Sequence, residues 1–342
     1  MTTDRLAPTL SDGKVMDPTS ASRVSLDTRQ GQQRGLLLFA GTANPALAAG
    51  VAAGLGIGLG ACAVERFPDG EVAVELKQSV RGHDVFIVQS TSPPINDHLV
   101  ELLAFADACR RADAERITAI VPYFGYARSD KRQGRRVPVM ARAVADMIQA
   151  VGIDHVVTLD AHTQQLEGFF RIPIDNLTLV PAMCDALQAA VAPDVVIVSP
   201  DLGGVKRATE FGERLGRPVA LCVKRRTSAA QVAMTQVIGD VRDRRCVIVD
   251  DMITTGGTIA EAVKVLRSHG AQEDFVVAAS HGVLVRGARR RLHEAGVTDI
   301  LVSDSIPIEI GGEPRVATAG VASLLAEVVR RLVTATSLRD LY

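Results

Sequence analysis

The stretch VIVDDMITTGGTI, residues 247–259, constrains the fold more than any other part of the chain. Three apolar β-branched residues, Val247, Ile248 and Val249, run into two neighbouring carboxylates, Asp250 and Asp251. A turn of Thr254, Thr255, Gly256, Gly257 and Thr258 follows, and then the helical spacing Ile259, Val263, Leu266. A strand that ends in free backbone N–H groups and opens onto a helix N-terminus is an anion site. Both the N–H groups and the positive end of the helix dipole favour phosphate. The paired acids would repel a bare phosphate, but they fit beside one if they hydrogen-bond sugar hydroxyls or face a metal ion. Phosphate plus diol describes a sugar phosphate, with ribose 5-phosphate the simplest case. The plainer reading of the same residues is an ordinary βα turn in which glycine serves tight packing.

At 342 residues the chain has room for two domains of ordinary size, and 47% hydrophobic against 23% charged residues describes a well-buried globular protein. A net charge of −1 argues against nucleic acid or an anionic membrane as a general partner. No apolar run approaches the roughly 20 residues that span a bilayer, and the N-terminus lacks the apolar core of a signal peptide. A cytoplasmic location is therefore expected. The five cysteines, well separated and mostly in apolar stretches, read as buried free thiols.

Residues 1–34 carry no apolar period and are expected to be a disordered extension. Strands and helices then alternate: Leu36–Ala40, a helix over Pro45–Leu55, a turn at Pro68-Asp69-Gly70 before the alternating Val72, Val74, Leu76, a strand at 85–94, and a helix around Leu99–Ala112 capped by Asn96 or Asp97. The GxGxxA match at Gly56–Ala61 is rejected as a dinucleotide fingerprint, because it follows a helix and leads into an extended segment. After the strand at 117–121 come Tyr123, Phe124 and Tyr126, and then a basic run including Arg128 and Lys131. Such a mixture can stack a base and neutralise phosphates, or it can be a solvated basic loop. Asp160 and His162 follow the strand at 155–159 and could share a divalent cation, although an Asp-x-His pair is a weak metal signal. Asp201 and a Gly pair end the strand at 195–199, and Lys224, Arg225 and Arg226 end the one at 218–226. Residues 227–238 read as a mobile flap. The alternation implies an α/β protein with parallel sheets, and every polar cluster falls at a strand's carboxyl end, where such folds bind ligands.

The ordered series NPALA, ERFPDGE, QSTSPP, YFGYAR, DAHTQQLEGFF, PIDNL, SPDLGG, KRR and VDDMITTGGT resembles the ribose-phosphate pyrophosphokinase (phosphoribosyl pyrophosphate synthetase) family from about residue 35 onward. The resemblance implies two phosphoribosyltransferase-like, doubly wound, mainly parallel α/β domains in tandem, residues 35–180 and 181–342. It implies Mg-ATP and ribose 5-phosphate as substrates, Mg²⁺ as cofactor, and a homo-oligomer, a hexamer built from dimers. By the same resemblance Phe67, Asp69, Gly70 and Glu71 reach a neighbouring subunit's ATP, and Arg128, Ser129 and Lys131 bind nucleotide. His162 and Asp201, with Asp160 close by, are the metal positions; Lys224 and Arg226 are the catalytic cations. Asp250, Asp251 and the loop Thr254, Thr255, Gly256, Gly257, Thr258 take ribose 5-phosphate together with Arg226. Two residues depart from the familiar pattern: Ser129 replaces Gln, and Thr254 replaces Asp. Two rival readings remain at this point, a base phosphoribosyltransferase that shares the 247–259 motif and a non-catalytic regulatory relative.

Overall fold

The structure, a computed structural model, describes residues 35–132, 134–190, 192, 194–226 and 232–342; the extension expected over 1–34 lies outside the described residues. The first part runs β1 (Leu36–Ala40), α1 (Pro45–Leu55), β2 (Cys62–Arg66), β3 (Val72–Leu76), β4 (Asp84–Val88) and α2 (Ile95–Arg111). It continues through β5 (Arg116–Val121), α3 (Met140–Ala150), β6 (His155–Leu159) and β7 (Ile174–Leu177). The second part runs α4 (Val180–Ala190), β8 (Val196–Ser199), α5 (Val205–Leu215), β9 (Val219–Arg226), β10 (Val232–Ile238), β11 (Cys246–Ile253) and α6 (Gly257–Ser268). It closes with β12 (Phe275–Gly282), α7 (Ala288–Ala295), β13 (Val297–Ser303), β14 (Arg315–Ala319) and α8 (Ala322–Val333).

These strands form a parallel five-stranded sheet, β1-β4-β5-β6-β7, and a seven-stranded sheet, β10-β9-β8-β11-β12-β13-β14, that is parallel apart from its β9–β10 edge. A parallel sheet needs crossover helices, which cover both faces and bury the strands completely. That burial explains the unbroken apolar runs of the central strands: β6 is buried along its whole length, and so are the first four residues of β11. The fold is thus the doubly wound α/β class expected from the alternation. Among the described residues no helix is long and apolar enough to cross a membrane.

Helix α1 begins and ends as its sequence dictates. Asn44 caps it by accepting the Leu47 N–H at 3.2 Å, and Pro45 starts it with φ already fixed. Gly56, at φ 71°, closes it with an N–H bond to Ala53 O. The GxGxxA glycines therefore terminate a helix, which agrees with their rejection as a nucleotide fingerprint. Helix α2 corrects an expectation. Its N-cap is Pro94, with no side-chain cap, while Asn96 accepts the Tyr126 hydroxyl and Asp97 pairs with Arg66 at 3.2 Å. Both candidate cap side chains are drawn to partners outside the helix.

The two sheets are joined by a shared core and by buried polar bonds. Helix α8 returns to pack against α1, and the sites where they cross are glycines. A Cβ on Gly50 would stand 2.9 Å from Ala322 Cβ, and one on Gly54 would stand 2.8 Å from Ala326 Cβ. Gly54→Val is therefore expected to cost about 1–3 kcal/mol through overpacking, read as a lower melting temperature without loss of the helical signal. On the other side of the seam, Asn44 Nδ2 donates to Asp304 O at 2.7 Å and Ser90 Oγ to Ser305 O at 2.6 Å. His281, fully enclosed and held neutral by that burial, spans Leu159 O and Ser305 Oγ. Pro181, expected near the domain boundary, lies in the first turn of α4, which packs on β12, β13 and β14.

Candidate active site

β11 delivers Asp250 and Asp251 at the carboxyl end of the larger sheet, half-buried between flanking strands. Their backbone hands the chain to the loop 254–256, which is pinned from outside: Val285 N–H donates to Thr254 O at 3.0 Å and Arg291 Nη1 to Thr255 O at 2.5 Å. Gly256 sits at φ 73°, and a Cβ there would meet Leu292 Cγ at 2.9 Å, so the loop lies flat on α7 only with glycine. Helix α6 starts at Gly257, whose N–H donates to Thr255 Oγ1 at 3.4 Å, and Gly256 as its N-cap supplies no side-chain acceptor. The strand, loop and helix thus follow one another at 247–259 in the order expected from the sequence. Burial and the neighbouring Asp251 push Asp250's carboxyl well above the ordinary carboxylate range. Burial opposes ionisation of Asp251 too, but hydrogen bonds from His162 and Asp250 and the nearby Arg207 cation outweigh it and hold this carboxyl far below that range.

His162 comes from the other sheet. It follows β6, and its Nδ1–H donates to Asp251 Oδ2 at 2.5 Å. That hydrogen bond raises the imidazole's pKa, although partial burial works against it. Asp160, two residues earlier, takes a different course. Its Oδ2 accepts Arg207 Nη1 at 3.0 Å, Leu179 N–H at 3.2 Å and the Ser280 hydroxyl, and the residue is only 8% exposed. Asp160 and His162, expected to share a cation, are thus sent to separate partners, and Asp160 is committed to Arg207. Among the described residues no group of three His, Cys, Asp or Glu side chains closes on one point.

On the smaller sheet Arg128 is exposed and its Nη1 lies 3.5 Å from Thr254 Oγ1, across the seam. Ser129 is used locally: its Oγ accepts the Met140 N–H at 3.2 Å where α3 begins. Lys131 is exposed. The hairpin β2–β3 stands apart as its own two-stranded sheet and carries Phe67, Asp69, Gly70 and Glu71 at its exposed tip, with Phe67 49% accessible. The tip is closed by Phe67 N–H to Glu71 O at 2.9 Å and by Asp69 Oδ1 accepting Glu71 N–H at 3.1 Å. Arg66, below it, binds Asp97 and the fully buried Glu101, which anchors the hairpin to α2.

β9 pairs with β8 only as far as Leu221 opposite Ser199, then continues to Arg226. Lys224 and Arg226 therefore stand beyond the end of β8, on the rim from which Asp201 follows; their side chains lie outside the described part of the structure. Asp201 accepts the Gly203 N–H at 2.9 Å at the turn into α5. The expected flap over 227–238 is corrected in its second half: 232–238 form strand β10, antiparallel to β9, with a bulge between Met234 and Gln236 opposite Lys224. The strand's own residues, VAMTQVI, are largely apolar; the small and polar residues that suggested a flap are those of 227–231. Residues 227–231 lie outside the described residues.

Residues 36–152 match the model of the N-terminal domain of ribose phosphate pyrophosphokinase, and residues 221–342 match that of the phosphoribosyl synthetase-associated domain. The ribose-phosphate pyrophosphokinase of Burkholderia pseudomallei is 43% identical over 90% of this chain and 98% of its own length. That of Vibrio cholerae is 45% identical over 89% and 98%. The chain belongs to the ribose-phosphate pyrophosphokinase family. The crystal structure of phosphoribosylpyrophosphate synthetase from Mycobacterium smegmatis superposes with a TM-score of 0.82 at 39% identity, covering 88% of this chain and all of that one. Because these pyrophosphokinases are matched over nearly their whole lengths, both sheets of the fold are accounted for.

One consequence concerns pH. With its pKa raised in the fold, His162 contributes stability that is complete below the ordinary imidazole value of about 6.5 and is lost as pH rises through the raised value. Asp251, held low, contributes above about pH 3.9 and loses its contribution as pH falls through the lowered value. In metal-free buffer the melting-temperature gap between the unaltered chain and His162→Ala is expected to be widest between about pH 4 and 6.5 and to narrow above it. A gap that grows with rising pH would contradict the pairing.

Arg207, Ser280 and Arg291 were absent from the candidates named in the sequence. Each acts on a site residue through a bond that spans between 36 and 120 positions, and no local pattern announces it.

Proposed function

We propose that the rim where the two sheets meet transfers the diphosphoryl group of ATP to the C1 hydroxyl of ribose 5-phosphate, giving 5-phosphoribosyl 1-pyrophosphate and AMP. The observation that carries this reading is the His162–Asp251 bond, which brings the carboxyl ends of both sheets within one substrate's length of each other. The loop of Thr254, Thr255, Gly256, Gly257 and Thr258 holds the 5-phosphate with backbone N–H groups, and Asp250 and Asp251 accept hydrogen bonds from the ribose hydroxyls. The C1 hydroxyl attacks the β-phosphorus in line, its O–P bond forms as the bond to the α-phosphate oxygen breaks, and AMP departs with that oxygen. Positioning and charge neutralisation supply such a transfer with most of its rate.

Arg128, with Ser129 and Lys131 beside it, faces the nucleotide. Ser129 serves there chiefly by fixing the start of α3. Lys224 and Arg226, at the end of β9, neutralise the transferred group. Asp201, a hard-oxygen donor, and the imidazole of His162 would hold a divalent cation together with water and substrate phosphates, and Mg²⁺ bound there would neutralise phosphate charge. The exposed hairpin tip at Phe67, Asp69, Gly70 and Glu71 suits contact with a neighbouring subunit's nucleotide, in a homo-oligomer assembled from dimers as a hexamer. Residues 35–180 and 181–342 then act as the ATP side and the ribose 5-phosphate side.

The purified chain, incubated with Mg²⁺, ATP and ribose 5-phosphate, is expected to release AMP only when both substrates are present, and to leave phosphoribosyl pyrophosphate untouched when given nucleobases. Consumption of phosphoribosyl pyrophosphate with a base would identify a base phosphoribosyltransferase instead. A chain that binds both substrates without releasing AMP would be a regulatory relative.

A further inference from the structure

Arg207 occupies the first turn of α5, with its side chain 19% exposed. Its guanidinium donates to Asp160 Oδ2 at 3.0 Å and to Ser280 Oγ at 3.1 Å, and the Ser280 hydroxyl donates to that same carboxylate oxygen. Three elements are tied together: the end of β6 in one sheet, β12 in the other, and the helix that follows Asp201. Asp160 reaches this junction with a left-handed backbone, φ 38°, uncommon for a non-glycine residue and tolerated where the surroundings over-determine it. His162, two residues on, reaches Asp251 from the same turn. The guanidinium also lies close enough to feel the charges of Asp250 and Asp251, and these acids together with Asp160 keep it charged against burial.

We propose that Asp160 and Arg207 form a fixed counter-charge that positions the Asp250–Asp251 pair for the ribose hydroxyls, so that Asp160 serves the site through Arg207 and not as a ligand of the divalent cation. The proposal rests on ribose 5-phosphate binding at the acid pair. Two adjacent buried carboxylates repel one another, and a guanidinium built into a helix offsets that repulsion without a mobile ion. Its planar fork makes it a rigid partner in a way that lysine is not. The ion pair with Asp160 keeps Arg207 from turning wholly onto Asp250 and Asp251, where it would compete with the sugar for the same oxygens. Removal of either member of a buried pair leaves the other uncompensated, and removal of both does not.

The test is calorimetric titration of ribose 5-phosphate into the full chain without metal, alongside KM for each substrate and the Mg²⁺ activation constant. It compares the unaltered protein, Asp160→Asn, Arg207→Met, Arg207→Lys and the Asp160→Asn/Arg207→Met double variant. Each of the first two single variants is expected to weaken ribose 5-phosphate binding by about tenfold or more, with KM for ATP and the Mg²⁺ requirement held within about twofold. The double variant is expected to be no worse than either single one, the signature of coupled residues. Arg207→Lys should recover only part of the loss, and it keeps the test informative if Arg207→Met fails to fold. A tenfold rise in the Mg²⁺ requirement confined to Asp160→Asn, or strictly multiplicative losses in the double variant, would overturn the proposal. Absence of binding by the unaltered chain would refute the acid pair as the ribose 5-phosphate site, a failure distinct from that of the positioning role.

Discussion

Replacing Lys224 with alanine is expected to lower kcat by about 10²–10³-fold while leaving KM for both substrates nearly unchanged and the melting temperature intact. The expectation follows from where β9 puts the residue. The strand outruns its neighbour β8 after Leu221 and carries Lys224 past the sheet's edge, with no ladder partner on that side. On the other side it pairs with Met234 at the bulge of β10. A cation so placed has little fold to support. In the proposed transfer it meets negative charge that grows as the β-phosphorus is attacked, an interaction stronger in the transition state than with bound ATP. Loss of such an interaction lowers kcat and kcat/KM together. Steady-state kinetics on the folded variant checks this; near-normal kcat would remove Lys224 from the mechanism.

The second large effect is expected at the acid pair and is asymmetric. Asp251→Asn should weaken ribose 5-phosphate by about 10–100-fold, the worth of roughly 1.5–3 kcal/mol for a hydrogen bond to a charged group. It also removes the acceptor that holds His162. Asp250→Asn should cost distinctly less at neutral pH or below, because burial and the charge on Asp251 already favour the neutral form of Asp250, which an amide resembles in shape and charge. Equal losses in the two variants, measured by titration of the sugar phosphate, would mean that the pair shares its charge evenly and that the environments described above do not distinguish them.

Much of this was legible before any coordinates, and the reason is local. β1, α1 and β6 could be bounded because buried parallel strands leave unbroken apolar runs, and because Asn44, Pro45 and Gly56 mark a helix by their own backbone preferences. The turn between β11 and α6 could be read because its glycines interrupt an apolar strand and an apolar helical spacing, and Gly256 does take the left-handed conformation there. What escaped depends on partners distant in the chain. Asn96 and Asp97 looked like caps for α2, but Tyr126 and Arg66 claim them. Residues 232–238, VAMTQVI, were read with the small and polar run 227–231 before them, although they are largely apolar and form the edge strand β10. Asp160 and His162 looked like two ligands of one ion, since spacing alone cannot say that Arg207, 47 positions away, takes one and Asp251, 89 positions away, takes the other.

In the proposed reaction a diphosphoryl group moves as a unit from ATP to the sugar bound at Asp250 and Asp251. ATP labelled at its β-phosphorus, turned over with ribose 5-phosphate and Mg²⁺, tests this most directly. The label is expected to appear entirely in 5-phosphoribosyl 1-pyrophosphate, with one unlabelled AMP formed for each product molecule and no ADP. Labelled ADP beside a ribose bisphosphate, the outcome of attack at the γ-phosphorus, would contradict it.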